Sequence, residues 1–193
     1  MEELVDRAKN GDKSAFDELI INMQSDLYKV AKMRLYCEDD INDAVQETII
    51  KAYKNIKKIK HPQFFKTWII KVLINNCNKI YKKSYRNDVL EYNEDIATNS
   101  YSINDEDKIK NLDFYYLIEN LNYKEREALT LYYLFDFTTK EISKIIKEPE
   151  STIRNRIART KSKLRKKCKG EYYNGWTRFK NKSSFTRKNR NPK

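Results

Sequence analysis

Glycine is nearly absent from this 193-residue chain: it has Gly11, Gly170 and Gly175, and none in the long interval between residues 12 and 169. Loops that cradle phosphates or dinucleotides need glycine for tight turns and close backbone approach, so ordinary nucleotide-binding folds are excluded. A single histidine, His61, leaves no His-rich metal cluster and little scope for a histidine-based triad. No catalytic chemistry, metal or cofactor is expected. Cys37, Cys77 and Cys168 are odd in number and far apart, and read as reduced thiols of a cytoplasmic protein. No apolar run approaches the length that spans a membrane, and the opening MEELVDRAKNGD is too polar for a signal peptide. Between residues 12 and 169 the only helix breakers are Pro62 and Pro149. Few breakers, abundant Lys, Ile and Leu, and strong helical periodicity predict an all-α protein.

What the chain does have is positive charge, a net +12 with a pI of about 9.4, which suits a polyanionic partner. That charge is unevenly placed. Residues 1–83 carry a net +4, residues 84–111 a net −4, residues 112–168 a net +5 and residues 169–193 a net +7. Two weakly basic blocks therefore flank an acidic spacer, and a strongly basic tail follows.

The first block, 1–83, predicts a helical bundle of three or four helices. Asp12 or Ser14 can cap a helix carrying Phe16, Leu19, Ile20, Met23, Leu27, Val30 and Ala31 on one face. A second helix, starting at Asp39 or Asp40, points Ile41, Ala44, Val45, Thr48, Ile49, Ala52, Tyr53 and Ile56 inward. A third starts at Pro62, a favourable residue in a first turn, and buries Phe65, Trp68, Ile69, Val72 and Leu73, with Phe65 and Trp68 read as core. The segment 84–111 loses this periodicity and reads as a flexible linker. Periodicity resumes with Leu112, Tyr116, Leu117 and Leu121, then Leu129, Tyr132 and Phe135. The tail 169–193 has scattered aromatics and cations without a core pattern, and is expected to be disordered.

The second block, 112–168, ends in a predicted helix-turn-helix. Ile142, Ile145 and Ile146 line a short helix, Pro149 breaks the run, and Ser151 or Thr152 can cap the next helix. In that helix Ile153, Ile157, Thr160 and Leu164 face inward, while Thr152, Asn155, Arg156, Arg159 and Lys163 lie one turn apart on the other side. A cationic amphipathic helix behind a short supporting helix has the shape that docks in a DNA major groove. Periodicity alone fits a solvated basic helix of a bundle equally well.

The outer face of the second helix supplies the other half. Asp43, Gln46, Glu47 and Ile50 stand at i, i+3, i+4 and i+7, and an apolar Ile50 on the solvent side suggests a partner surface. The string Asp43-Ala44-Val45-Gln46-Glu47-Thr48, with Trp68 and Asn75 further on, resembles the second conserved region of bacterial sigma factors. Arg126, Glu141, Ile142, Pro149, Thr152, Ile153, Arg156, Arg159 and Leu164 fit that family's fourth region. Over roughly residues 8–168 the chain is thus similar to small two-domain sigma factors of the extracytoplasmic-function type. The resemblance implies an N-terminal domain that grips RNA polymerase core enzyme through Asp43, Gln46, Glu47 and Ile50 and reads the promoter −10 element. It implies a C-terminal domain that reads the −35 element, no small-molecule substrate, a monomer when free, and in many relatives an anti-sigma protein as regulator. The pattern departs at the turn before the recognition helix, where Lys147 and Ser151 stand in place of glycines.

For the −10 strand the candidates are Asn75, Asn78, Lys79, Tyr81, Lys82, Lys83 and Arg86, a mix of amides, aromatics and cations suited to single-stranded DNA. Asn75 could instead hold the bundle together by a buried hydrogen bond. For the −35 duplex they are Thr152, Arg154, Asn155, Arg156, Arg159 and Lys163, with Asn155 and Arg156 assigned to base edges. Two other classes compete. A conventional helix-turn-helix regulator acting without polymerase leaves the outer face of the second helix unexplained. A polymerase-binding adaptor leaves the basic recognition helix without a task.

Overall fold

The computed structural model describes residues 1–35, 37–84, 118 and 121–167. Among these residues the regular structure is all helical: α1 (Glu2–Lys9), α2 (Lys13–Lys32), α3 (Glu38–Asn55), α4 (Phe65–Ser84), α5 (Tyr123–Tyr133), α6 (Thr139–Ile146) and α7 (Glu150–Lys167). Two short 3-10 turns, Ile56–Lys58 and Pro62–Phe64, lead from α3 to α4. The all-α expectation holds. Contacts divide the chain into two compact units, one with α1–α4 and Lys140–Glu148, the other with α5 and α7. The acidic spacer beyond Ser84, the residues Arg86, Leu112, Tyr116, Leu117 and Cys168, and the basic tail lie outside the described residues.

In the first unit, α2 starts where the sequence puts it. Asp12 caps it by accepting from the Ala15 amide at 3.1 Å, and Arg7 pairs with the same carboxylate at 2.7 Å. The amide bond first and Arg7 second hold the Asp12 carboxyl below its usual range. Gly11 precedes it at φ +100°, a conformation only glycine adopts without strain. Helix α1 has no counterpart in the sequence reading. It spans two turns with two apolar anchors, Val5 and Ala8, both buried, too few to register as a periodic pattern.

The core joins Leu19, Met23 and Leu27 of α2, Ile41 of α3, and Phe65, Ile69, Ile70 and Leu73 of α4, with α3 packed on both α2 and α4. Each such side chain contributes about 1.5–3 kcal/mol by leaving water. Several expectations need correction. Helix α3 begins at Glu38, before either predicted aspartate. Pro62 opens a 3-10 turn, and the α-helix proper starts at Phe65. Tyr53, expected inward, is 52% exposed, with its ring edge-on to Phe16 at 5.1 Å. Phe65 is core, but Trp68 is only half-buried.

In the second unit, Asn122 and Glu125 form a reciprocal capping box at the start of α5, and α5 packs on α7. Arg126 is buried and donates to the Leu121 carbonyl at 3.0 Å. Burial pushes the Tyr133 phenol well above its ordinary value, while Lys161 stacks its ammonium 5.5 Å from the ring centre. Helix α6, most of which groups with the first unit, buries Ile142 and Ile145, with Ile146 half-buried. Its end is marked by Ser143 donating to the Glu148 carbonyl at 2.6 Å and by Lys147 at φ +61°.

Helix α7 carries the predicted stripe: Ile153, Ile157, Thr160 and Leu164 are all buried. Thr160 fits among aliphatics because its hydroxyl donates to the Arg156 carbonyl at 2.8 Å. The expected cap differs. Ser151 and Thr152 sit inside the first turn, because the helix already begins at Glu150, whose carboxylate accepts from Thr139 Oγ1 at 2.9 Å.

Candidate functional site

Three surfaces carry the candidate residues. On α3, Asp43, Gln46, Glu47 and Ile50 are all exposed, while Ile41, Ala44, Thr48 and Ala52 on the opposite side are buried. Ile50 is 48% exposed although aliphatic. Glu47 accepts from Lys51 one turn on, at 2.9 Å. That hydrogen bond, then the charges of Lys51, Lys54 and Lys79, lower the Glu47 carboxyl below its usual range. This face stays anionic at neutral pH and offers oxygens to cationic partner groups.

On α4 the predicted residues separate. Asn75, Asn78, Lys79 and Lys82 recur at i, i+3, i+4 and i+7 and so share one face, whereas Tyr81 and Lys83 fall to either side of it. Asn75 is half-buried, and Asn78, Lys79, Lys82 and Lys83 are exposed. Asn78 accepts from Arg34 at 2.7 Å. The buried amide expected of Asn75 belongs to its neighbour. Asn76 donates to Thr48 at 2.8 Å and accepts from Lys51 at 2.6 Å.

The same face of α4 continues backwards through Val72 to Trp68, into a groove that sequence reasoning missed. An open cavity of about 560 Å³ is lined by the Trp68 and Val72 side chains, by Ile59, His61 and Phe64, and by Lys51, Asn55, Lys58 and Lys60. Phe64 is 50% exposed and meets the His61 ring edge-on at 6.0 Å. Flat rings among lysine ammoniums are the surface that takes unstacked bases and their phosphates. The signal was present as Lys57-Lys58-Ile59-Lys60-His61-Pro62-Gln63-Phe64, where cations and an aromatic surround the start of a helix.

On α7, Thr152, Asn155, Arg156, Arg159 and Lys163 fall within an arc of about 100°. Thr152, Asn155, Arg159 and Lys163 are exposed. Arg156 borders the apolar stripe and is half-buried, which narrows its reach towards base edges. Arg154 lies off this face and pairs with Glu150 at 2.9 Å. Lys163 pairs with Glu125 at 3.1 Å, an exposed bond that DNA phosphate can displace.

Comparison with known proteins matches this layout. The models for sigma-70 region 2 and sigma-70 region 4 match residues 19–87 and 111–164 respectively. The chain belongs to the sigma-70 family. It is 25% identical to RNA polymerase sigma factor SigV of Bacillus subtilis, over 82% of this chain and 94% of that protein. It is 29% identical to the ECF RNA polymerase sigma-E factor of Haemophilus influenzae, over 85% and 93%. Its fold is that of CnrH, solved with the cytosolic domain of CnrY (TM-score 0.58, 17% identity, 89% of this chain and 98% of that one). It is also that of the sigma factor RpoE of Bartonella quintana, solved with the anti-sigma factor NepR (TM-score 0.56, 20% identity, 81% and 98%). Within the family it is of the extracytoplasmic-function type, a factor that directs RNA polymerase to promoters. Sigma factors are not a class of enzymes. Among the described residues no helix is long and apolar enough to cross a membrane.

Proposed function

We propose that residues 1–83 dock on RNA polymerase core enzyme through the outer face of α3 and hold the −10 strand along α4. Residues 112–168 bind the −35 duplex through α7, and residues 84–111 tether the two. The observation that carries this reading is the α3 face itself: Asp43, Gln46, Glu47 and Ile50 are exposed together on a helix whose other side is core. An exposed aliphatic one turn from Gln46 and Glu47 suits a partner that offers both apolar and cationic groups. Along α4, the Trp68 and Phe64 rings receive unstacked bases, and Lys58, Lys60, Lys79 and Lys82 follow the phosphates.

On α7, Asn155 reads base edges. Arg159, Lys163 and Thr152 position the helix on the backbone, and Arg156 acts from the rim of the core. The factor works in the cytoplasm, carries no bond chemistry of its own, and is open to silencing by an anti-sigma protein that covers the α3 face. The test is association of the purified protein with core polymerase. Glu47→Lys weakens it by a factor on the order of 10 to 100 with helicity unchanged. Unchanged affinity overturns the docking assignment.

A further inference from the structure

Between the docking face and the groove lies a polar chain whose order is set by elementary valence. The Thr48 hydroxyl donates its one hydrogen to the Ala44 carbonyl at 2.7 Å. Its oxygen can therefore only accept, so Asn76 must present its NH2 to Thr48 and its carbonyl oxygen the other way. Thr48 and Asn76 are buried, so that oxygen calls for a partner within the protein. Lys51 satisfies it at 2.6 Å. An ammonium has three hydrogens. Lys51 commits one to Asn76 and a second to Glu47 on the docking face, while its side chain forms part of the groove wall.

Resting on the docking and groove reading above, we propose that Lys51 is a positioning residue shared by the two surfaces, its charge held by Glu47 in the free protein and turned to the groove when Glu47 is engaged by a cationic partner. Asn76 keeps the ammonium at the α3–α4 junction in both states, so what changes is the partner of its remaining hydrogens and not the packing of the helices. Neutralising Glu47 then strengthens the hold on a single strand, and most strongly while a cation stands at residue 51. Binding of polymerase and of the −10 strand are thereby coupled, each favouring the other by the same factor.

The chain has two tryptophans, Trp68 and Trp176, so Trp176→Phe leaves Trp68 as the one reporter, placed in the groove wall. Full-length protein with that change is titrated with mixed-sequence single-stranded DNA while Trp68 emission is followed. Glu47→Gln tightens binding about two- to fivefold, the range of an exposed ion pair. It also steepens the salt dependence by the equivalent of one phosphate contact. Lys51→Gln keeps a donor for Asn76 but no charge, and in that background Glu47→Gln brings a smaller gain, because only the repulsion between Glu47 and phosphate is left to remove. Lys51→Arg preserves the gain, and thermal unfolding by circular dichroism verifies the fold of each variant. An equal gain with Lys51 intact and in the Lys51→Gln background, or an unchanged salt slope, overturns the shared-cation role and leaves the groove standing. Silence of Trp68 towards DNA in every folded variant overturns the groove itself, and the role of Lys51 with it.

Discussion

Helices α4 and α7 both turn a basic face to solvent, yet the two faces differ in chemistry. On α7 the outward residues are hydroxyl, amide and cation, with no aromatic among Thr152, Asn155, Arg159 and Lys163. Such a surface suits a duplex, whose bases show only their edges and whose phosphates lie at fixed spacing. On α4 the face passes from Trp68 and Val72 to Asn75, Lys79 and Lys82, so rings come first and charge follows. Exposed rings are useless against stacked pairs and valuable against unstacked bases. Their undersides also differ. Helix α7 rests on aliphatics and one self-satisfied threonine, while α4 is pinned to α3 by the buried Thr48–Asn76 pair and the half-buried Lys51.

That contrast can be broken or sharpened by substitution. The largest effect is expected in the core under α4. Phe65→Ala removes a fully buried ring and costs about 3–5 kcal/mol in chemical denaturation. Next, Trp68→Ala lowers affinity for single-stranded DNA by about 1–3 kcal/mol in anisotropy titrations and leaves duplex affinity unchanged. Equal losses on both would erase the distinction between the helices.

On α7, Asn155→Ala costs about 1–3 kcal/mol of discrimination between matched and mismatched −35 duplexes. Arg159→Ala weakens both alike and flattens the salt dependence. A sequence-dependent loss from Arg159→Ala would exchange their roles. The smallest effect is at the turn before α7. Lys147 holds a left-handed φ of +61°, so Lys147→Gly relieves strain and raises stability by up to about 1 kcal/mol in thermal unfolding. A decrease would show that the lysine side chain compensates for its backbone.

Much of this was legible from the chain alone. Alternating burial at i, i+3, i+4 and i+7 placed α2, α3 and α7, because a helix inserts one side into a core whatever it packs against. It separated Asp43, Gln46, Glu47 and Ile50 from Ala44 and Thr48, and it set Ile153, Ile157, Thr160 and Leu164 inward. Composition excluded glycine-dependent nucleotide folds before any helix was drawn. Even the strained turn left a trace, since the family resemblance implies a glycine at the position of Lys147.

What only the tertiary structure decided depends on which helix lies beside which, and periodicity within one helix is blind to that. Whether Asn75 or Asn76 enters the interior is a rotation of about 100°, and it was settled by the position of Thr48 on a different helix. The groove required the 3-10 turns to bring His61 and Phe64 against Trp68 across a break in the helical pattern. Tyr53 looked inward on a wheel but stays half in solvent, its ring edge-on to the buried Phe16. Local spacing determines which face of a segment is apolar. Packing alone determines which polar atoms that face must satisfy, and the Lys51 junction exists for that reason.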